Sequence, residues 1–105
     1  MLYILWEYRV HKTRRRSFER HYSATGAWVR FFRKGRGYRG TILLRNREKP
    51  NRYFTIDRWV SLAEYRRFRR RHQKHYDALD KRFERLTEKE TCLGYFETAG
   101  RTKRR

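Results

Sequence analysis

Between Tyr38 and Tyr65 the sequence YRGTILLRNREKPNRYFTIDRWVSLAEY sets two strand-like runs around a turn and then opens a helix, and this pattern limits the folds available to the chain more than any other feature. Thr41–Leu44 and Tyr53–Val60 are rich in aromatic and branched residues, while Asn46–Asn51 between them holds turn-forming residues and the only proline, Pro50. Two extended runs joined this way predict a β-hairpin. Ser61 is followed three positions later by Glu64, the spacing at which a hydroxyl and a carboxylate satisfy the free backbone donors of a first helical turn. A helix is therefore predicted to begin at Ser61.

The rest of the chain supplies matching elements. Tyr65, Phe68, His72, Tyr76, Leu79, Phe83 and Leu86 recur three or four apart with arginine and lysine between them, which predicts one long helix ending near Thr87. At the N-terminus Leu2, Ile4, Trp6, Tyr8 and Val10 alternate with Tyr3, Leu5, Glu7, Arg9 and His11, so one side of a strand is apolar and the other only partly polar. Such a strand is expected to be covered on both sides for part of its length. After the basic turn His11–Arg16, the positions Phe18, Tyr22, Val29 and Phe32 fit a helix, broadened by Trp28 and Phe31 and weakened at Gly26. Lys34–Gly37 reads as a loop, and Cys92–Phe96 as a last strand. The order strand, helix, strand, strand, helix, strand predicts an α+β, ferredoxin-like β-α-β-β-α-β sandwich: one antiparallel sheet with its helices on one face. Residues 1–98 read as a single domain and 99–105 as a basic tail, because no second domain fits a chain of 105 residues.

Composition narrows the classes of function. Thirty Lys and Arg against eleven Asp and Glu give a formal net charge of +19, a field that draws polyanions. The basic clusters Arg14–Arg16, Arg66, Arg67, Arg69–Arg71 and 101–105 fall in a turn, on an outer helix face and in a tail, where a solvated surface accounts for most of them. A non-enzymatic nucleic-acid-binding or regulatory dimer is thus the alternative reading and not the favoured one. Cys92 is the only cysteine, so an intramolecular disulfide is impossible; it is expected to be small and buried on the last strand. No apolar run approaches the roughly 20 residues needed to cross a bilayer. The expectation is a soluble, cytoplasmic protein without a membrane partner.

Few motifs carry chemistry. The glycines at 35, 37 and 40 lead into a strand and not a helix, so they do not form a phosphate loop. Arg39 and Thr41 stand where an RNA-recognition strand needs a small and an aromatic residue. His72 and His75 nominate two metal ligands where a site needs three or four, so no metal is expected. No serine or cysteine sits in a nucleophile motif. Asp57 stands out, because a carboxylate amid Phe54, Thr55, Ile56 and Trp59 on an inner strand is costly to bury unpaired. Either an arginine neutralises it, or it lies in a cavity as a general base whose proton affinity is raised by desolvation. Trp6, Trp28, Trp59, Tyr65 and Tyr76 are expected to point into one space between sheet and helices, as core and in part as an aromatic pocket.

The segments LYILWEYRV, FERHYSATGAWVRFFRKGRGYRGTILL, RYFTIDRW, VSLAEYRRF and LGYFET together resemble the antibiotic biosynthesis monooxygenase domain family of dimeric α/β barrels, over about residues 1–98. The resemblance rests on element order, aromatic placement and the W-x-S helix start. It implies a homodimer of ferredoxin-like protomers whose sheets pack face to face, which agrees with the two-sided apolar character of the first strand. The family's haem-degrading branch uses an Asn, Trp and His triad, whose counterparts here are Tyr8, Phe68 and Ala78; all three depart from it. The oxygenase branch implies a pocket for a small aromatic substrate whose anion reacts with dioxygen without a cofactor. On that reading Trp28, Trp59, Tyr65 and Tyr76 are the substrate-binding walls, Asp57 or His72 the catalytic proton acceptor, and Arg58 an anion partner. The basic surface adds a weak preference for an acidic substrate.

Overall fold

The computed structural model describes residues 1–100; of the basic tail expected over 99–105, residues 101–105 lie outside the described residues. In chain order the elements are β1 (Leu2–Val10), α1 (Arg15–Tyr22), α2 (Ala27–Phe32), β2 (Tyr38–Arg45), β3 (Arg52–Trp59), α3 (Leu62–Arg71), α4 (Gln73–Phe83) and β4 (Thr87–Glu97). Short 3-10 turns at Lys12–Arg14 and Glu84–Leu86 join β1 to α1 and α4 to β4. The four strands form one antiparallel sheet in the order β2-β3-β1-β4, with the helices on one face. This is the ferredoxin-like α+β sandwich, and its sheet is open at both edges.

Alternation along the two central strands builds the layers. On β3, Tyr53, Thr55, Asp57 and Trp59 are buried beneath the helices, while Arg52, Phe54, Ile56 and Arg58 are half-buried on the far face. On β1, Leu2, Ile4, Tyr8 and Val10 point the same way as the buried residues of β3. Phe18, Tyr22, Trp28, Phe31 and Phe32 from α1 and α2, and Tyr65, Phe68, Leu79 and Phe83 from α3 and α4, close on them. The core is dominated by aromatic rings in tilted or edge-on contact, such as Phe31 on Phe68 at 4.9 Å and Trp59 on Phe68 at 5.1 Å. Tyr53 Oη donates to Glu19 Oε2 at 2.5 Å, tying α1 to the sheet.

Local chemistry explains the element ends. Ser61 caps α3 by accepting a hydrogen bond from the Glu64 backbone N–H at 3.1 Å. The Glu64 carboxylate turns to Arg67 at 3.0 Å, so only half of the expected reciprocal cap forms. The single long helix predicted from Ser61 is broken at His72, whose backbone (φ −117°, ψ 26°) leaves the helical region and separates α3 from α4. Spacing of three and four continues across such a break, so periodicity alone cannot show it. The first predicted helix is also two, α1 and α2, divided at Ser23–Gly26. Cys92 is exposed, contrary to its expected burial, because β4 is an edge strand.

Gly26 gives this division a direct test. Its extended backbone (φ −81°, ψ −178°) suits any residue, but a side-chain carbon there would lie 2.4 Å from the carbonyl carbon and oxygen of His21. In an uninterrupted helix Gly26→Ala would stabilise by about 1 kcal/mol. Here it is expected to destabilise by about 1–3 kcal/mol, through a clash that backbone must absorb. Urea denaturation at neutral pH decides between the two signs.

Candidate functional site

Between sheet and helices lies a cavity of about 40 Å³ to which every strand and three of the helices contribute. Trp6, Tyr8, Tyr22, Trp28, Phe32 and Tyr76 supply aromatic walls. Thr41, Thr55, Asp57, Asp80 and Glu90 supply the polar groups. Trp6 and Tyr76 are half-buried, Glu90 likewise and Asp80 exposed, so the mouth opens between α4 and β4 while Asp57 marks the floor.

Asp57 is 8% exposed, lines this cavity and, among the described residues, has no arginine partner. It makes one side-chain hydrogen bond, accepted by Oδ1 from Thr41 Oγ1 at 2.7 Å. The Thr41 hydroxyl has a single proton, committed to Asp57, so the contact of 2.5 Å with Tyr38 Oη requires the tyrosine to donate. A relay Tyr38 to Thr41 to Asp57 therefore orients one carboxylate oxygen. Burial pushes the Asp57 pKa up to about 6, with Thr41 opposing the rise. Tyr8, whose hydroxyl lies 3.0 Å from Thr55 Oγ1, is held well above the usual tyrosine range by burial and then by the Asp57 charge. Burial raises Tyr22 as well and carries Tyr76 to about 12, so these walls stay neutral hydroxyls at physiological pH.

Trp28 adds an unsatisfied donor. Its ring is 8% exposed, and its Nε1–H has no hydrogen-bond partner. The Tyr22 hydroxyl lies near enough to this N–H for its own pKa rise to be tempered, but not in hydrogen-bonding geometry. A buried N–H without an acceptor costs on the order of 1–3 kcal/mol, which an acceptor atom in the cavity would recover. At the mouth, burial raises Asp80 and then Glu84 and Asp77 reinforce it; burial likewise raises Glu90, followed by Asp80. Among the described residues no Lys or Arg lines this cavity, in a chain of net charge +19.

The residues singled out by sequence divide into three groups. Asp57, Trp28 and Tyr76 meet at the cavity. Trp59 and Tyr65 are buried neighbours, ring centroids 5.3 Å apart, in the core beside it. Arg58 and His72 are elsewhere. Arg58 follows Asp57 on β3, so strand alternation sends it to the far face, where its Nη2 donates to the Arg39 carbonyl at 2.8 Å. His72, at the α3–α4 break, stacks on Phe68 at 4.7 Å and lines a separate outer groove. Among residues not foreseen as pocket walls, Tyr8 and Tyr22 lie on the apolar stripes already identified, and Thr41 pairs directly with Asp57 across the sheet. Asp80 is one helical turn beyond Tyr76, a signal open to reading. Glu90 had none, because β4 was expected to start after it.

A ferredoxin-like sandwich with an aromatic cavity walled by sheet and helices defines a class of small-molecule-binding proteins. The chain belongs to the antibiotic biosynthesis monooxygenase family, whose model matches residues 1–79. Among solved structures it is similar to SnoaB, a cofactor-independent oxygenase from Streptomyces nogalater, at 26% identity over 96% of this chain and 94% of that one, TM-score 0.75. Two others share the fold: PA3566 from Pseudomonas aeruginosa (16% identity, 94% of each chain, TM-score 0.71) and SO0527 from Shewanella oneidensis (12% identity, 90% and 87%, TM-score 0.66). No curated protein matches the chain by sequence. Family and fold make this a monooxygenase-type small-molecule-binding protein. Among the described residues no helix is long and apolar enough to cross a membrane, and no group of three or more His, Cys, Asp or Glu side chains is placed to hold a metal ion.

The sign of the Asp57 effect on stability follows from its raised pKa. The unfolded carboxyl loses its proton near its ordinary value of 3.8 and the folded one near 6. The contribution of Asp57 to stability is therefore most favourable below pH 4, falls between pH 4 and 6, and at neutral pH is less favourable by about 3 kcal/mol. Asp57→Asn, which can still accept from Thr41, is expected to melt at a higher temperature than wild type at pH 7.5 and to lose this pH dependence. Thermal melts from pH 4 to 8 measure both.

Proposed function

We propose that the protein is a cofactor-independent monooxygenase that oxidises a small, neutral phenolic or enolisable aromatic molecule, with Asp57 as the general base. The observation that carries this reading is Asp57 itself: buried on the floor of an aromatic cavity, hydrogen-bonded through one oxygen only, and with a pKa of about 6 that suits proton transfer near neutrality. The second carboxylate oxygen takes the substrate's hydroxyl proton. The Trp28 N–H then finds in the substrate oxyanion the acceptor it lacks. Aromatic walls bind the ring and keep water from the electron-rich anion, which passes an electron to dioxygen and combines with the reduced oxygen at a ring carbon. For a ring methylene in equilibrium with its enol the sum is CH₂ plus O₂ giving C=O plus H₂O. One oxygen atom stays on the ring carbon as the carbonyl and the other leaves as water, so no external reductant is needed.

The cavity reverses the weak preference for an acidic substrate suggested by the basic exterior. A carboxylated or phosphorylated ligand would have to pass Asp80 and Glu90 and sit against Asp57 without a neutralising cation. A neutral phenol instead brings a proton donor to a cavity rich in acceptors.

The same reading includes a homodimer. On the face away from the helices, Leu5, Ile56 and Ile42 pair side by side across β1, β3 and β2, and Phe54 and Leu44 form the adjoining row. Ile42, Leu44 and Phe96 are 44%, 47% and 49% exposed, an apolar surface that a second copy of the sheet would cover. Two open sheets joined in this way make the dimeric barrel.

Two experiments test the reading. With oxygen consumption on a panel of anthrones and polyhydroxynaphthalenes, kcat/KM is expected to rise with pH through about 6; Asp57→Asn should lower it about 10²–10⁴-fold and Trp28→Phe about 10²-fold. An unchanged pH profile in the Asp57 variant would place the base elsewhere. In sedimentation velocity the wild type should run at twice the monomer mass and Ile56→Glu as a monomer.

A further inference from the structure

The loop 33–37 and the outer face of α3 form a second concavity that shares no residue with the aromatic cavity. Of the five arginines on α3, only Arg69 turns inward; it donates to Tyr65 Oη at 2.9 Å and lies 3.6 Å over the Tyr76 ring. Arg66, Arg67, Arg70 and Arg71 remain exposed. The loop is laid directly against this helix by two glycines. A side-chain carbon at Gly35 would come within 2.8 Å of the Trp59 and Phe68 rings, and one at Gly37 within 2.7 Å of Glu64 Cβ. The result is a groove of about 260 Å³ with Lys34 and Arg36 on one bank and Arg67, Arg71 and His72 on the other.

Its charge is not balanced from within. Glu64 is the one acid lining the groove, and it is engaged by Arg67 at 3.0 Å. Among the described residues Lys34, Arg36 and Arg71 have no acidic partner. Lys34 Nζ has only the His75 imidazole, at 3.4 Å. Burial, and then Lys34, Arg71 and His75, lower the pKa of His72, so the imidazole does not add to the charge at neutral pH. Like charges held together on a packed loop and helix repel one another, and an anion in the groove relieves that repulsion.

We infer that this groove binds the phosphodiester backbone of nucleic acid, a function separate from the chemistry of the aromatic cavity. Charge complementarity identifies phosphate as the ligand group, and Arg67 and Arg71, one turn apart on α3, suit contacts along a strand rather than a lone anion. None of the residues lining the groove is an exposed large apolar side chain, so nothing there would insert into a bilayer, and no exposed aromatic ring offers a base a surface to stack on. Recognition is therefore electrostatic and independent of base sequence. The groove lies on the helix layer, opposite the sheet face assigned to the dimer, so both surfaces work at once.

Fluorescence anisotropy with a labelled 16-base-pair DNA duplex tests the inference, with phosphatidylserine vesicles as the competing anionic surface. At 100 mM salt the wild type is expected to bind with a dissociation constant in the range of roughly 10⁻⁴–10⁻⁶ M, and log affinity should fall linearly with log salt. The triple variant K34A/R36Q/R71Q should bind at least about tenfold more weakly, with a salt slope reduced by about 0.9 for each phosphate that is no longer neutralised. R14Q/R16Q/R20Q, which removes the same charge from exposed sites around α1, should stay within about threefold of wild type, the effect of long-range charge alone. In NMR, DNA should shift the His72 imidazole signal and raise its pKa. Equal weakening in the two triple variants, no binding at 50 mM salt, or binding to vesicles alone would overturn the assignment. None of these outcomes bears on the Asp57 chemistry.

Discussion

The register of β3 against its two neighbours is the constraint on which the rest of the molecule depends. Asp57 pairs with Ile4 on β1 and Thr41 on β2, and Ile56 with Leu5 and Ile42. Because side chains alternate, this one alignment sends Asp57, Thr55, Tyr53 and Trp59 beneath the helices and gathers Ile56, Phe54 and their partners on the opposite face. A slip of one residue would bury Arg58 and Arg52 under the helix layer and expose Trp59. The alignment is held because the large inward residues of β3, Tyr53 and Trp59, are 1% and 0% exposed, and neither could leave that packing cheaply. Cavity and apolar sheet surface are thus two consequences of the same pairing.

That pairing explains which parts of the molecule were legible in the sequence. Strand order and the ferredoxin-like layering follow from alternation and the Ser61 cap, both local signals. The fate of Asp57 was legible as a choice between an arginine partner and a cavity, and distant packing decided it: no arginine lies on the inner face of β3. Arg58 shows the limit of reasoning from neighbours in sequence, since adjacent strand residues point apart. His72 shows another, for its place on an apolar stripe was correct, but the break at that residue turns the stripe and leaves the imidazole at the surface against Phe68 and Phe31. The exposure of Cys92 depends on β4 being an edge, a property of topology that composition does not carry.

Charge is distributed in a way that the net value conceals. The exterior is strongly basic, yet Asp57, Asp80 and Glu90, three of the eleven acids, converge on one small cavity that no Lys or Arg lines among the described residues. Arg69, the α3 arginine nearest to it, is held outside the walls by Tyr65 and by stacking on Tyr76. Placing carboxylates where burial raises their pKa costs stability, and at Asp57 no ion pair among the described residues recovers that cost. Strain of this kind, retained on the floor of a cavity, is what a general base requires and what a purely structural carboxylate would avoid. The basic exterior and acidic interior are therefore suited to different ligands.

The size of the cavity sets a further condition on the proposed function. A dry cavity that accepts benzene measures about 150 Å³, whereas this one is about 40 Å³, room for two or three water molecules. An aromatic ring can bind only if part of the wall moves. Trp28, Tyr8 and Tyr22 are deeply buried and locked by mutual ring contacts; Tyr76 and Trp6 are only half-buried and stand at the mouth. Swinging Tyr76 outward gives up its edge-on contact with Trp28 at 5.1 Å and its stacking against Arg69 at 3.6 Å, together on the order of 2 kcal/mol. A cost of that size lowers apparent affinity about thirtyfold, an amount that burial of a bound ring and an acceptor for the Trp28 N–H would more than offset on the proposed function. The stacking of Arg69 on Tyr76 thus favours the closed cavity, and on the proposed function ligand binding itself would be the step that opens it.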